Sequence, residues 1–65
     1  MKINGKKYIT LEIEETVHET DGAILVNYEG DETWIPKSQL EDWPDVGESG
    51  EIIVTEWWAE KEGLI

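Results

Sequence analysis

Short apolar runs separated by turn residues constrain this chain to a small antiparallel β fold. From Tyr8 to Val17 the side chains alternate in character, with Thr10, Glu12, Glu14, Thr16 and His18 facing one way. The apolar residues Ile9, Leu11, Ile13 and Val17 face the other way, which is typical of a half-buried strand. Only Glu15 interrupts the alternation, and this interruption predicts a bulge near residues 14–15.

Further strands are indicated on both sides of this run. Asn4-Gly5 is a dipeptide suited to a type I′ hairpin turn near the N-terminus. Residues 23–28 (AILVNY) form a β-rich run without clean alternation, which favours a central strand buried on both faces. Residues 33–35 follow the turn at 29–32 as a returning strand, and residues 51–55 provide the last strand.

Helical signals occur at two places. Ser38 followed by Glu41 matches a capping box, which predicts one helical turn through residues 40–42. Thr55 is a suitable N-cap for a final helix over residues 56–62. Gly63 then ends this helix, and Leu64 packs back on it.

These elements predict one domain over residues 1–65, mainly β with a C-terminal helix (α+β). The expected architecture is a small, strongly bent antiparallel sheet or an SH3-like barrel of about four or five strands. The chain has no cysteine, so no disulfide stabilises it. We therefore expect the core to depend on aliphatic residues and on the four tryptophans.

Charge limits the partners of such a domain. Sixteen acidic residues oppose five lysines, and the formal net charge is −11. Phosphate contacts need Lys or Arg, so the sequence argues against direct binding of DNA or RNA. Self-repulsion of this size destabilises a compact state, which suggests either a cationic partner or a role of the charge in solubility.

The sequence contains no constellation typical of an enzyme. Cysteine is absent, His18 is the only histidine, and neither serine has an evident base. The carboxylates crowded at residues 29–32 and 41–45 could bind Ca²⁺ or Mg²⁺ weakly, but the EF-hand pattern is missing and turn chemistry explains them equally well. We therefore expect a non-enzymatic protein with no cofactor and no dedicated metal site.

Two segments carry a resemblance to a known group of proteins. Trp34-Ile35-Pro36-Lys37-Ser38 and the C-terminal stretch from Glu56-Trp57-Trp58 to Leu64 resemble short uncharacterised proteins encoded by phages and prophages, which show a WIPKS segment and an EWxAxKxGL-like end. The resemblance covers roughly residues 23–65. It implies expression in the cytoplasm of a bacterial host and action against host defence or DNA-processing enzymes, as anti-CRISPR proteins do.

The leading functional hypothesis is nucleic-acid mimicry. Alternate residues on one face of a strand lie about 6.6 Å apart, close to the separation of neighbouring phosphates. Glu12 and Glu14 have this spacing, and Glu29, Asp31 and Glu32 extend the row if the hairpins pack side by side. Such a row of carboxylates would fit the basic nucleic-acid-binding surface of a host protein, such as a CRISPR effector. The residues predicted to contact such a partner are Glu12, Glu14, Glu29, Asp31, Glu32, Glu41 and Asp42, with Trp58 as an aromatic anchor.

The tandem Trp57-Trp58 and the remaining aromatics leave an alternative open. Adjacent helical side chains point about 100° apart, so one tryptophan of the pair can be buried while the other reaches the surface. The competing hypothesis is an SH3-like protein- or peptide-binding adaptor with an aromatic groove around Trp34, Tyr28 and Trp43, whose acidity serves solubility. The sequence shows no membrane-spanning segment, and it leaves open whether the domain is a monomer or a weak dimer.

Overall fold

The computed structural model describes residues 2–3 and 6–65. Within them the chain forms two antiparallel sheets and a short C-terminal helix, which confirms the prediction of a mainly β domain with a helix at its end. The predicted turn at Asn4-Gly5 lies outside the described residues. The strands are β1 (Lys2–Ile3), β2 (Lys6–Ile13), β3 (Glu15–Glu19), β4 (Ala23–Tyr28), β5 (Asp31–Pro36), β6 (Leu40–Asp42) and β7 (Gly50–Thr55), and the helix is α1 (Glu56–Lys61).

The first sheet has the strand order β1-β2-β7-β6, and the second has the order β3-β4-β5. Strand β2 pairs with β7 over its whole apolar stretch, from Tyr8 opposite Thr55 to Ile13 opposite Gly50. The chain then passes directly from β2 into β3, so one bent ribbon links the sheets at Glu14. No closed barrel joins the two sheets within the described residues. The prediction of one bent sheet or barrel of about four or five strands is therefore wrong, because these residues form seven strands in two sheets.

The core lies between the inward faces of the two sheets, and α1 contributes to it. Alternate residues of β4 and β7 supply its centre, because Ile24, Val26, Ile52 and Val54 are almost completely buried. Strand β4 lies between β3 and β5 as predicted, but only one of its faces is fully buried, because Leu25 and Asn27 on the other face are partly exposed. The complete set of buried residues in this cluster is Leu11, Ile13, Ile24, Val26, Ile35, Leu40, Ile52, Val54, Trp58 and Ala59.

The side chains of β3 that face the core differ from those predicted. Thr16 is fully buried, whereas Val17, which was assigned to the apolar face, is only partly buried. The alternation reverses at Glu14, where β2 ends and the chain bends into β3, so Thr16 follows Ile13 on the inward face. A β-bulge between Thr16 and His18 then leaves Val17 without a register partner in β4. The irregularity predicted near residues 14–15 is therefore a break between two strands at Glu14 and not a bulge, and Thr16 beyond it lies against the loop at Val46.

The predicted helical turn at residues 40–42 is also wrong. The structure has a 3₁₀ helix at Lys37–Gln39, and Leu40–Asp42 form strand β6 beside β7. Leu40 is buried opposite Val54, so its packing in the sheet outweighs the local capping signal.

The C-terminal helix forms as its caps predict. The Thr55 hydroxyl accepts a hydrogen bond from the Trp58 backbone N–H and donates one to Gln39 Oε1 at 2.7 Å. At the other end Gly63 has φ of 75°, and the Leu64 N–H donates to the Ala59 carbonyl at 2.8 Å, the pattern of a Schellman motif. Leu64 then packs against the core, as predicted.

Candidate functional site

The corner between β2 and β3, the turn between β4 and β5, and the beginning of β7 meet at one end of the molecule. Ile13 at the end of β2 is paired with Gly50, and the Glu14 side chain reaches the turn at Glu29-Gly30. All the carboxylates gathered there belong to exposed residues. We call this group the acidic end; it consists of Glu12, Glu14, Glu15, Glu29, Asp31, Glu32, Glu48 and Glu51.

Glu14 joins the β2–β3 corner to the β4–β5 turn. Its two carboxylate oxygens accept hydrogen bonds from the backbone N–H groups of Glu29 at 2.9 Å and Gly30 at 2.8 Å. These two residues have φ angles of 51° and 86°, so they form a two-residue type I′ hairpin turn. Positive φ is unusual for Glu, and the Glu14 carboxylate holds this turn against the β2–β3 corner.

This contact corrects one part of the sequence prediction. Glu12 and Glu14 were expected to present a row of two carboxylates from one strand, but β2 ends at Ile13 and the Glu14 carboxylate binds the turn. Glu29 was expected to extend this row if the hairpins packed side by side, whereas the structure makes the turn at Glu29 the hydrogen-bond partner of Glu14.

Glu12 has a different carboxylate neighbour, Glu51. These residues are direct cross-strand partners in the β2–β7 pair, and both are exposed. Directly opposite side chains in an antiparallel pair lie about 4.5–5.5 Å apart at Cβ, and like charges in this position destabilise the sheet. Sequence reasoning missed Glu51, because a pairing across almost forty positions leaves no local signal.

The second sheet extends the acidic end across its outward face. Glu15, Asn27 and Glu32 occupy one row, since Asn27 is the register partner of both glutamates. Asp31 lies next along β5, opposite Tyr28 and beside the hairpin turn, and therefore on the other face of this sheet. A shallow cavity of about 330 Å³ lies at this margin, and Glu29, Asp31 and Glu62 contribute its carboxylates.

Glu41 and Asp42 are exposed but lie outside this group. They belong to β6, which is separated from β2 by β7. Asp42 is paired with Ile53, two residues from Glu51, so it continues the negative charge along the first sheet. One of its oxygens accepts a hydrogen bond from the Trp43 backbone N–H.

The lysines whose side-chain contacts the structure describes lie outside the acidic end, and each contacts a carboxylate or an aromatic ring. Lys37 forms an ion pair with Glu19 at 2.7 Å and lies 5.5 Å from the centre of the Trp43 ring. Lys61 lies 5.1 Å from the centre of the Trp57 ring. Lys7 pairs with Glu56 at 3.4 Å, and together with Lys6 it lines a groove of about 510 Å³ beside α1, at the opposite end of β2 from Glu12.

Only one pKa shift bears on these contacts. The hydrogen bond and the charge of Lys37 lower the pKa of the Glu19 carboxyl, which also accepts a hydrogen bond from the Trp43 indole N–H at 3.5 Å.

Among the side chains that the structure describes, no cation lies within ion-pair distance of the acidic end. Its charges therefore remain available to a partner.

The tryptophans correct the predicted aromatic contact. Trp58 is buried, with 6% of its surface exposed, whereas Trp57 is 61% exposed. The predicted anchor Trp58 is therefore a core residue, and Trp57 is the tryptophan of the pair that a partner can reach. Their separation around the helix was predicted, but which of the two is buried depends on how α1 packs.

The alternative aromatic groove is not formed by the residues proposed for it. Trp34 is paired with Leu25, on the outward face of the second sheet, and is 50% exposed. Tyr28 is three residues from Leu25 along β4 and therefore faces the other side, where its hydroxyl donates to the Leu64 carbonyl at 3.2 Å. Trp43 contacts Lys37 and Glu19 instead.

Neither a metal centre nor a membrane span is found in the described part of the chain. No group of three or more His, Asp or Glu side chains there is suited to holding a metal ion. Within residues 2–3 and 6–65, no helix has the length and apolar character that crossing a bilayer requires.

The chain matches no protein-family model, no curated protein and no solved structure.

Proposed function

We propose that this domain is a stoichiometric inhibitor that binds the basic nucleic-acid-binding surface of a bacterial host protein and excludes nucleic acid from it. The acidic end takes the place of a phosphate backbone. CRISPR effectors, which hold a guide–target heteroduplex in a positively charged channel, are one class of protein with such a surface.

The observation that carries this proposal is the concentration of uncompensated carboxylates at the acidic end. Three separate chain segments converge there, and no described cation pairs with any of them. The like-charged pair Glu12–Glu51 is a stability cost in the free domain. Binding to a cationic surface removes this cost, so the same pair contributes to affinity in a complex.

Geometry adds a second element of support. Neighbouring strands place Glu12 and Glu51 about 5 Å apart at Cβ, and the Glu15–Glu32 row crosses one intervening strand. Carboxylates at these separations form a dense array of negative charge, which is the property of a nucleic-acid backbone that a basic surface binds. With a net charge of −11, long-range attraction would also accelerate encounter with a basic partner.

A peptide-binding adaptor is the second candidate, and one observation favours it. Trp34 exposes half of its surface on the outward face of the second sheet. The strong bend between β2 and β3 and the 3₁₀ helix before β6 are compatible with an SH3-like arrangement of strands. Such a module would bind mainly through apolar contact, so its affinity would change little with salt.

Capture of host proteins at two ionic strengths tests the proposal. The immobilised domain is incubated with bacterial lysate in about 0.05 M and about 0.5 M salt, with and without excess duplex DNA. Mimicry predicts that nucleic-acid-binding proteins are retained at low salt and that both salt and DNA release them. Retention of the same proteins under every condition would contradict it and favour the adaptor.

Charge reversal locates the surface. The variant Glu12→Lys/Glu51→Lys changes the acidic end, whereas Asp21→Lys/Glu60→Lys changes the net charge equally at exposed positions outside it. We expect the first variant to lose the captured proteins and the second to keep most of them. Equal losses would show that net charge alone, without a defined face, drives binding.

A further inference from the structure

Strand β5 has an open edge. In the second sheet β5 pairs only with β4, and no described strand covers its other side. An unpaired edge presents backbone N–H and C=O groups that can bind another chain. The side chains along β5 then determine which chain is favoured.

The hydrogen-bonding pattern identifies the groups that are available. The Asn27 carbonyl accepts a hydrogen bond from the Glu14 N–H at 2.9 Å, on the β3 side of β4, so it points away from β5. Asn27 and Glu32 are therefore a non-hydrogen-bonded pair, and by alternation so are Leu25 and Trp34. The backbone groups of Glu32 and Trp34 consequently face the open edge.

The same alternation explains the position of Pro36. It is opposite Ala23, another non-hydrogen-bonded pair, so its missing N–H would have pointed to the open edge. Proline there ends the available edge without weakening the β4–β5 ladder. The usable edge is therefore short and is centred on Glu32 and Trp34.

Glu32 and Trp34 also share the outward face of the sheet, because they are two residues apart on one strand. Trp34 is half exposed, and His18 packs against it edge-on with ring centroids 6.2 Å apart. Glu32 is exposed and lies in the row that contains Glu15. A strand added to this edge would meet an aromatic surface at one position and a carboxylate two positions away.

We propose that β5 binds an extended segment of the partner protein by β-strand addition. The segment carries an apolar residue opposite Trp34 and a lysine or arginine two positions away, opposite Glu32. Backbone hydrogen bonds to Glu32 and Trp34 fix its register. This inference rests on the proposed function for the positive charge of the partner.

Charge complementarity selects this occupant over a second copy of the chain. Every copy has a net charge of −11, and pairing two β5 edges would bring Asp31 and Glu32 of both copies to one seam. Like charges across a strand pair are unfavourable, whereas a basic segment forms favourable cross-strand pairs.

Amide hydrogen exchange measured by NMR tests the proposal. The probe is a peptide of alternating lysine and valine, about ten residues long, which is a typical upper length for a strand. In the free domain the Glu32 and Trp34 amides should exchange quickly, while those of Thr33 and Ile35, which face β4, are protected. With the peptide, exchange at Glu32 and Trp34 should slow at least about tenfold and the Trp34 indole resonance should shift.

Two variants of Glu32 separate the contribution of its backbone N–H to peptide binding from that of its carboxylate. Glu32→Gln removes the carboxylate and keeps the N–H, whereas Glu32→Pro removes both at a position that β4 does not use. We expect the proline variant to bind the peptide at least about tenfold more weakly than the glutamine variant, with the β4 amides still protected in both. Equal affinities of these two variants would overturn strand addition.

The remaining outcomes are distinct. Salt-sensitive peptide binding without protection of Glu32 and Trp34 would overturn strand addition but leave the proposed function intact. Absence of any peptide binding at low salt would count against both. Protection of the same amides in the free domain that increases with its concentration would show that a second copy occupies the edge, contrary to the proposal.

Discussion

The Glu14 carboxylate holds the β4–β5 turn through two backbone N–H groups, so its removal should loosen the link between the sheets. We predict that Glu14→Ala lowers the free energy of unfolding by about 1–2 kcal/mol, because hydrogen bonds to a charged acceptor are lost at an exposed site. Urea denaturation measures this change. Glu15→Ala is the control: it removes the same charge from the neighbouring exposed residue, which makes no described side-chain hydrogen bond, and its effect should stay within about 0.5 kcal/mol. Equal destabilisation by both variants would contradict the role of Glu14.

The contribution of Glu19 to the free energy of unfolding depends on pH. Its pKa is lowered chiefly by the hydrogen bond from Lys37, so the charged form is favoured more strongly in the folded state than in the unfolded chain. The resulting stability is present above the unfolded pKa of a glutamate and is lost as pH falls through the lowered folded value.

We therefore predict that Glu19→Gln is less stable than the parent near pH 7 and that this difference disappears at low pH. Thermal melts of both proteins across the acid range measure it, with Asp21→Asn as a control carboxylate for which no ion pair is described. A difference that stays constant down to low pH would mean that packing of the Glu19 side chain, and not its charge, accounts for the effect.

Among the secondary-structure elements, α1 carries one tryptophan that is buried in the core and one that is exposed. We predict that Trp58→Ala lowers the free energy of unfolding by about 3–5 kcal/mol, because it leaves a cavity in the core. Trp57→Ala should cost about 1 kcal/mol or less, the value of its contact with Lys61. Chemical denaturation of both variants provides the comparison, and a cost for Trp57→Ala as large as that for Trp58→Ala would contradict the assigned packing.

The elements also show what local sequence can predict. The caps of α1 and the apolar pattern of β4 and β7 act within a few residues, so the sequence was sufficient for them. The burial of Thr16 was not predictable, because it depends on the bend at Glu14 and on the packing of Thr16 beside β4 and the loop at Val46. Residues 40–42 carried a capping signal, yet the burial of Leu40 opposite Val54 made them a strand.

The candidate site was predicted in part for the same reason. The acidic clusters at the β2–β3 corner and the β4–β5 turn could be recognised from local sequence, but the hydrogen bonds from the Glu29 turn to Glu14 depend on how the two sheets pack. The Glu12–Glu51 pair results from the pairing of distant strands and had no local signal. Trp57 and Trp58 could be separated but not assigned, because only the orientation of α1 against the sheets decides which is buried.

For the whole molecule, the charge opposes folding as well as favouring a cationic partner. We predict that raising salt from low to moderate concentration increases the melting temperature, since screening weakens repulsion among exposed carboxylates. Differential scanning calorimetry in sodium chloride measures this, and Glu12→Gln/Glu51→Gln, which removes the like-charged cross-strand pair, should show a smaller increase. A melting temperature that does not respond to salt in this range would contradict an energetically significant repulsion.

We propose that the acidic end, and not the overall charge, binds a basic nucleic-acid-binding surface. The most direct test is the affinity of the domain for a captured host protein as a function of salt, measured by calorimetry with and without competing duplex DNA. We predict a steep decrease of affinity with salt, full competition by DNA, and loss of both behaviours in Glu12→Lys/Glu51→Lys but not in Asp21→Lys/Glu60→Lys. An affinity that is indifferent to salt and DNA, or unchanged when the acidic end is reversed, would contradict it.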